Sequence, residues 1–298
     1  MPNDAEVYLV IGAILRRQGK WQESTANLEK AVSLNPNDTW PLQNLFFNYQ
    51  VQHDFDAANR VVDRALAINP KSFSLWGMKA KLAVAERGDL TVAEKGLAEF
   101  DQGKARGDLK DLSPETMFEV AMAKANVLLL RRKYPEALEA LRQLPHEMPP
   151  ANLRGLVEVS LLEGTLNQAI GQMVEARAAF LKAKETAEAM VREAPNDAMR
   201  HAVLARTLAR LGEKDAAIAE GKRAAELLPE SVDAFQGPEM TQALAEVYAV
   251  TGENARAIET LDGLLSRPSE VTVPLLKIDP TLDGLRNDPA FQAMLLKH

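Results

Sequence analysis

Four histidines and two glycine-bearing stretches are the parts of this chain best suited to chemistry. His53, His146, His201 and His298 would be the metal ligands or general bases of a reacting site. None has a second histidine or an acidic residue at ligand spacing on the same helix face, so the sequence predicts no metal site. "GLAEFDQGKA" (96–105) has the residue types of a phosphate-cradling loop. Its glycine spacing is wrong, and no Ser or Thr follows Lys104. "DPTLDG" (279–284) resembles the start of a calcium loop, but Pro280 takes its second position and Ala290 stands where the bidentate Glu belongs. The chain has no cysteine, which excludes disulfides and thiolate metal sites. No catalytic residue, cofactor or metal ligand is expected, and the chain is not expected to be an enzyme.

The side chains must therefore act through the surface that the backbone builds. Of the 298 residues, 46% are hydrophobic and 26% charged, a balance that folds. Ala and Leu outweigh the β-branched residues, which favours helix over strand. The net charge is −7. The strongest basic runs, "LRRQGK" (15–20) and "LLRRKY" (129–134), sit at expected helix ends, where cations complement the last carbonyls. No nucleic-acid partner is expected. No run of apolar residues is long enough to span a membrane, so no membrane insertion is expected. The opening "MPNDAEVYLVIGAILRR" lacks the basic start and cleavage site of a signal peptide, and a cytoplasmic location is expected. The alternative is periplasmic, if a membrane segment lies upstream.

The tripeptide "PND" occurs at 2–4, 36–38 and 195–197. Pro2, Pro36 and Pro70 are thirty-four residues apart, and so are Trp21 and Phe55, Ala31 and Ala65, Leu15 and Tyr49. A fixed period of this size marks a stack of supersecondary units. Within a unit the apolar residues recur at i, i+3, i+4 and i+7, as in "EVYLVIGAILRR" and "ESTANLEKAVSL", giving two amphipathic helices. The turn between them carries Gly or a polar pair: "QGKW", "QHDF", "LGEK", "TGEN". Pro then stops the second helix, and Asn or Asp caps the next one.

This pattern resembles the tetratricopeptide repeat family. Residues 5–38 supply Tyr8, Ile11, Gly12, Leu15, Trp21, Ser24, Leu28, Ala31 and Pro36, with Ser24 in place of the family's usual Ala. Residues 39–72 supply Leu42, Leu45, Tyr49, Phe55, Ala58, Val62, Ala65 and Pro70. Further units are read near 73–107, 114–147, 151–195, 198–231 and 238–268. The unit at 151–195 has a second helix about two turns too long. The resemblance implies an all-α fold, a right-handed superhelix of about seven helix-turn-helix repeats. The array is placed at 1–268 and a C-terminal cap at 269–298. An array needs such a cap to hide the apolar face of its last unit. "VPLLKIDPTLDGLRNDPAFQAML" also resembles the endings of repeat arrays that follow a catalytic or DNA-binding module in some bacterial signalling proteins. Because the chain opens on the closing word of a repeat, it is read as the C-terminal part of a longer protein.

In this family the first helix of each unit lines a concave groove. That placement nominates Trp40, Gln43, Asn44, Phe47 and Gln50, then Lys81, Met122, Asn126 and Arg206. Trp40 and Phe47 would anchor an extended or helical peptide, unless they pack on a neighbouring helix. Asn44 and Asn126 would bond its backbone. The family's carboxylate clamp is not expected, because its positions hold Leu9, Ala13, Asn44, Ser74 and Met78, and only the Asn matches. The expected role is a protein–protein interaction scaffold that binds a peptide or protein segment in the groove. The alternative is a regulatory arm of a longer chain with a kinase, cyclase or DNA-binding domain upstream. The oligomeric state is left open.

Overall fold

A computed structural model describes residues 4–107, 113–144 and 153–298. They form helices and turns, with no strand among them. The helices come in pairs. The first four pairs are α1 (Ala5–Arg17) with α2 (Trp21–Leu34), α3 (Thr39–Val51) with α4 (Phe55–Ile68), α5 (Phe73–Arg87) with α6 (Thr91–Arg106), and α7 (Pro114–Leu130) with α8 (Tyr134–Leu141). Then follow α9 (Leu153–Ala169) with α10 (Met173–Glu193), α11 (Ala198–Arg210) with α12 (Lys214–Leu227), and α13 (Gly237–Val250) with α14 (Asn254–Leu265). Every consecutive pair of helices from α1 to α14 is in contact, so the units stack as a solenoid. The extra length of the fifth unit's second helix is real: α10 runs for 21 residues.

The "PND" words act as helix starts. The carboxylates of Asp4, Asp38 and Asp197 accept from the backbone N–H of Glu6, Trp40 and Met199, so each satisfies an otherwise orphan donor of the helix it opens. The alanines of the repeat face one another across the helix crossings. Ala31, Ala58, Ala65, Ala137, Ala217, Ala224 and Ala257 are all buried, and small side chains there let the helices approach. Gly12 does the same for α1, since a Cβ there would lie 2.7 Å from Leu28. Ser24, which replaces the usual alanine, donates its hydroxyl to the Gly12 carbonyl at 2.7 Å.

Beyond α14 the chain forms α15 (Val273–Ile278), a 3₁₀ turn over Pro280–Leu285, and α16 (Pro289–Lys297). Leu276, Leu282, Leu285, Phe291, Met294 and Leu295 pack into one buried cluster with Tyr248, Leu261 and Leu264 of the last pair. This tail packs on the last pair, α15 also lies against α5, and Asp283 of the 3₁₀ turn meets Arg132.

Candidate functional site

Late segments of the chain meet the C-terminal parts of the first helices of the early pairs, and the face so covered is called the inner face of the solenoid. There the later part of the chain crosses the earlier part in a regular order. The loop 229–236 meets the end of α1: the Ala234 N–H donates to the Arg17 carbonyl at 2.8 Å, and Arg17 pairs with Asp233. Ser269 meets the end of α3, where its N–H donates to the Val51 carbonyl at 2.8 Å. Glu270 accepts from Lys81 of α5 at 2.7 Å, and α15 packs along α5. Asp283 accepts from Arg132, just past α7, at 2.8 Å.

The turns within the pairs take part in this crossing. Five of the seven place Gly in the left-handed backbone region, at Gly19, Gly88, Gly171, Gly212 and Gly252. The other two place His53 and Arg132 there, with φ of 58° and 59°. A side chain in this region costs free energy that glycine avoids. His53 and Arg132 are also the turn residues whose side chains hold the later chain. His53 meets the Ser269 carbonyl at 3.1 Å, and Arg132 grips the Asp283 carboxylate with both terminal nitrogens. The sequence signal was present at 52–55, where "QHDF" lacks the glycine of its counterparts.

At the first two units the contact is aromatic and cationic. The Phe235 ring meets the Phe47 ring edge-on at 6.0 Å, and the Arg16 guanidinium lies 4.3 Å from the Phe235 centroid. Arg16 is 6% exposed and donates to the backbone and side-chain oxygens of Asn44. Burial, together with the nearby charge of Arg17, brings its pKa down to about 10, so it is still a cation at neutral pH.

The nominated residues therefore divide into two groups. In the first, Asn44 and Gln50 are buried and Phe47 is half-buried under Phe235, so the face that the sequence suggested was an open groove is covered by the chain itself. Both amide atoms of Gln50 are without a hydrogen-bond partner among the described residues. Gln43 is half-buried, Lys81 is paired with Glu270, and Trp40 keeps 56% of its surface exposed. The sequence pattern puts Arg16 at a groove position of the first unit, but gives no sign of Phe235, Ser269 and Asp283 as partners in this face. One further signal was available: α3, "TWPLQNLFFNYQV", has no charged residue and is buried around most of its circumference.

The second group stays together. Met122, Asn126 and Arg206 line one cavity of about 300 Å³ between α7, α9, α11 and α13, floored by Thr281. Arg206 donates to Glu246 at 2.7 Å, and Gln242 donates to the other oxygen of that carboxylate at 3.1 Å. Burial opposes the Arg206 charge, but Glu246 outweighs it and holds the guanidinium above its ordinary pKa. Its side chain keeps 27% of its surface and lines the cavity. Arg210 lines the same cavity and makes no hydrogen bond or ion pair among the described residues. Burial pulls its pKa down, and burial raises that of Asp279 nearby, with repulsion from Glu246 adding to it. The cavity lining joins apolar side chains with an amide, guanidinium groups and carboxylates. His201, the one histidine inside a helix among the described residues, is held by the Glu220 carboxylate and the Pro195 carbonyl. No cluster of metal-ligating side chains occurs among the described residues. His146 lies outside the described residues.

Residues 15–82 match the family model described as tetratricopeptide repeat. Residues 15–82 carry tetratricopeptide repeats. Among solved structures it is similar to the Cut9–Hcn1 hetero-tetramer of APC/C, with a TM-score of 0.50 and 11% identity over 99% of this chain and 56% of that one. It is also similar to PilW, described as a type IV pilus biogenesis factor, with a TM-score of 0.49 and 19% identity over 76% of this chain and 96% of that one. A tetratricopeptide repeat protein from Parabacteroides merdae aligns with a TM-score of 0.46 and 14% identity over 98% of this chain and 97% of that one. At these identities the likeness is one of fold. No curated protein matches the sequence. The tetratricopeptide repeat fold carries a protein–protein interaction or scaffold role, and its members are generally not enzymes. No helix among the described residues is long and apolar enough to cross a membrane.

Proposed function

We propose that this tetratricopeptide repeat chain binds a peptide or protein segment in the cavity between α7, α9, α11 and α13. The observation that supports this reading is the convergence of Met122, Asn126 and Arg206 on one cavity, while the equivalent face of the first three units is covered by the chain's own later segment. Met122 and Leu162 offer apolar contact, and Asn126 offers both an amide donor and an acceptor. Arg206, fixed by Glu246, presents its remaining N–H groups at a set angle.

The test is affinity capture from the lysate of the source cells, comparing the wild type with a Met122→Asp, Asn126→Ala variant. Circular dichroism establishes first that the variant is folded. A partner retained by the wild type and lost by the variant is the expected result. The same partners retained by both would overturn the assignment of binding to this cavity.

A further inference from the structure

The loop 229–236 sits on the first two units as a bound peptide would. Its Asp233 carboxylate accepts from its own backbone, the N–H groups of Phe235 and Gln236, at 2.9 and 2.8 Å. This folds Asp233, Ala234 and Phe235 into a tight turn that projects the aromatic ring. The same carboxylate pairs with Arg17, so one acidic group both shapes the turn and anchors it. Arg17 also donates to the Gln236 side-chain oxygen at 2.8 Å. The Ala234 N–H is taken by the backbone carbonyl of Arg17, and Phe235 enters the space between Arg16 and Phe47. Val232, one residue before this turn, points away and is 65% exposed.

The receiving face is prepared for this chemistry. Arg16 is fixed by Asn44 and lies over both phenyl rings, 5.9 Å from Phe47 and 4.3 Å from Phe235. Two adjacent arginines at the end of one helix would repel each other. Here one faces an aromatic ring and the other an acid. The contacts are a cation–π pair, an edge-on ring pair, one backbone hydrogen bond and one ion pair in which Arg17 is half-exposed and the Asp233 carboxylate is buried. The ring and cation–π contacts each contribute modestly, so the buried carboxylate is the main anchor of the segment. A docked segment held in this way exchanges with a competitor of the same chemistry.

We propose that the loop 229–236 is an internal ligand for the inner face of α1 and α3, and that the opened face takes in trans a peptide with an acidic residue two positions before an aromatic one. This site is separate from the cavity under α7–α13. Its occupant is argued from the segment already seated on it. The acid must reach Arg17 while the ring reaches Arg16 and Phe47, which fixes their spacing.

The probe is a fluorescein-labelled peptide of sequence PESVDAFQG, which reproduces 229–237, read by anisotropy. It is added to the full chain as wild type and as an Asp233→Ala, Phe235→Ala variant whose helicity has been verified. The peptide is expected to bind the variant at least tenfold more tightly than the wild type. A peptide with its Phe replaced by Ala is expected to lose that binding. Equal affinity for the two proteins, or binding indifferent to the Phe, would overturn the proposal. If the double variant does not fold, the same comparison is made with Phe235→Ala alone, which keeps the Asp233 turn and vacates the aromatic position. The same two outcomes decide it.

Discussion

The imidazole Nε2 of His53 lies 3.1 Å from the backbone carbonyl oxygen of Ser269, a residue 216 positions further along the chain. His53 sits where five sibling turns have glycine, and its ring stacks on Phe55 with 5.6 Å between centroids. Its left-handed backbone costs about 1–2 kcal/mol relative to glycine. The hydrogen bond to Ser269 and the stacking on Phe55 offset part of that cost.

This contact has a pH dependence. Burial lowers the His53 pKa below its ordinary 6.5, and the backbone carbonyls of Ser269 and Val271 only partly oppose it. The folded form therefore binds the proton less readily than the unfolded form. The stabilisation is complete above about pH 6.5 and is lost as pH falls from there toward the lower folded value. Thermal unfolding of the wild type and of His53→Gln at pH 7.5 and pH 5 checks this. The advantage of the wild type is expected to shrink at the lower pH. An advantage that grows on acidification would show that the histidine is stabilised as a cation.

The Phe47–Phe235 pair is expected to be coupled. In a double-mutant cycle with Phe47→Ala and Phe235→Ala, the coupling energy should be about 0.5–1.5 kcal/mol, the usual value for an edge-on ring pair. Urea unfolding of the four proteins measures it. Additive effects would mean that the two rings do not meet.

Ala65 is 1% exposed at the crossing between the second and third units. Ala65→Leu should destabilise the chain by about 1–3 kcal/mol through overpacking. Gly164→Ala should act in the same range, since a Cβ there would lie 2.3 Å from the Phe180 ring. Chemical-denaturation midpoints check both, and unmoved midpoints would put the helix register in error.

The local elements were legible because each has a local cause. Asp38 and Asp197 cap because a carboxylate two residues before a free N–H can reach it, and the "PND" word shows this directly. The same holds for the small residues at the crossings. The covering of the inner face had no such signal. A repeat pattern reports how a unit meets its neighbours, whereas the meeting of Arg17 with Asp233 depends on the accumulated rotation of six units. Amphipathic reading nominated Phe47 as a surface position of α3, but it carries no information about which distant segment lies on that surface. Met122 and Asn126, one turn apart on α7, and Arg206 on α11 came together because the first helices of their two units face one hollow.

The central claim is that the loop 229–236 rests on the first unit in solution. A Cβ at Gly19 would lie 3.3 Å from the Ala234 Cβ, close to the separation of a disulfide, and the chain has no cysteine of its own. The most direct measurement is mild oxidation of a Gly19→Cys, Ala234→Cys variant at low protein concentration, followed by non-reducing electrophoresis and thiol alkylation. The account predicts an intrachain disulfide in the monomer, with faster migration that reducing agent reverses. Two thiols that remain open to alkylation in the folded variant would contradict it.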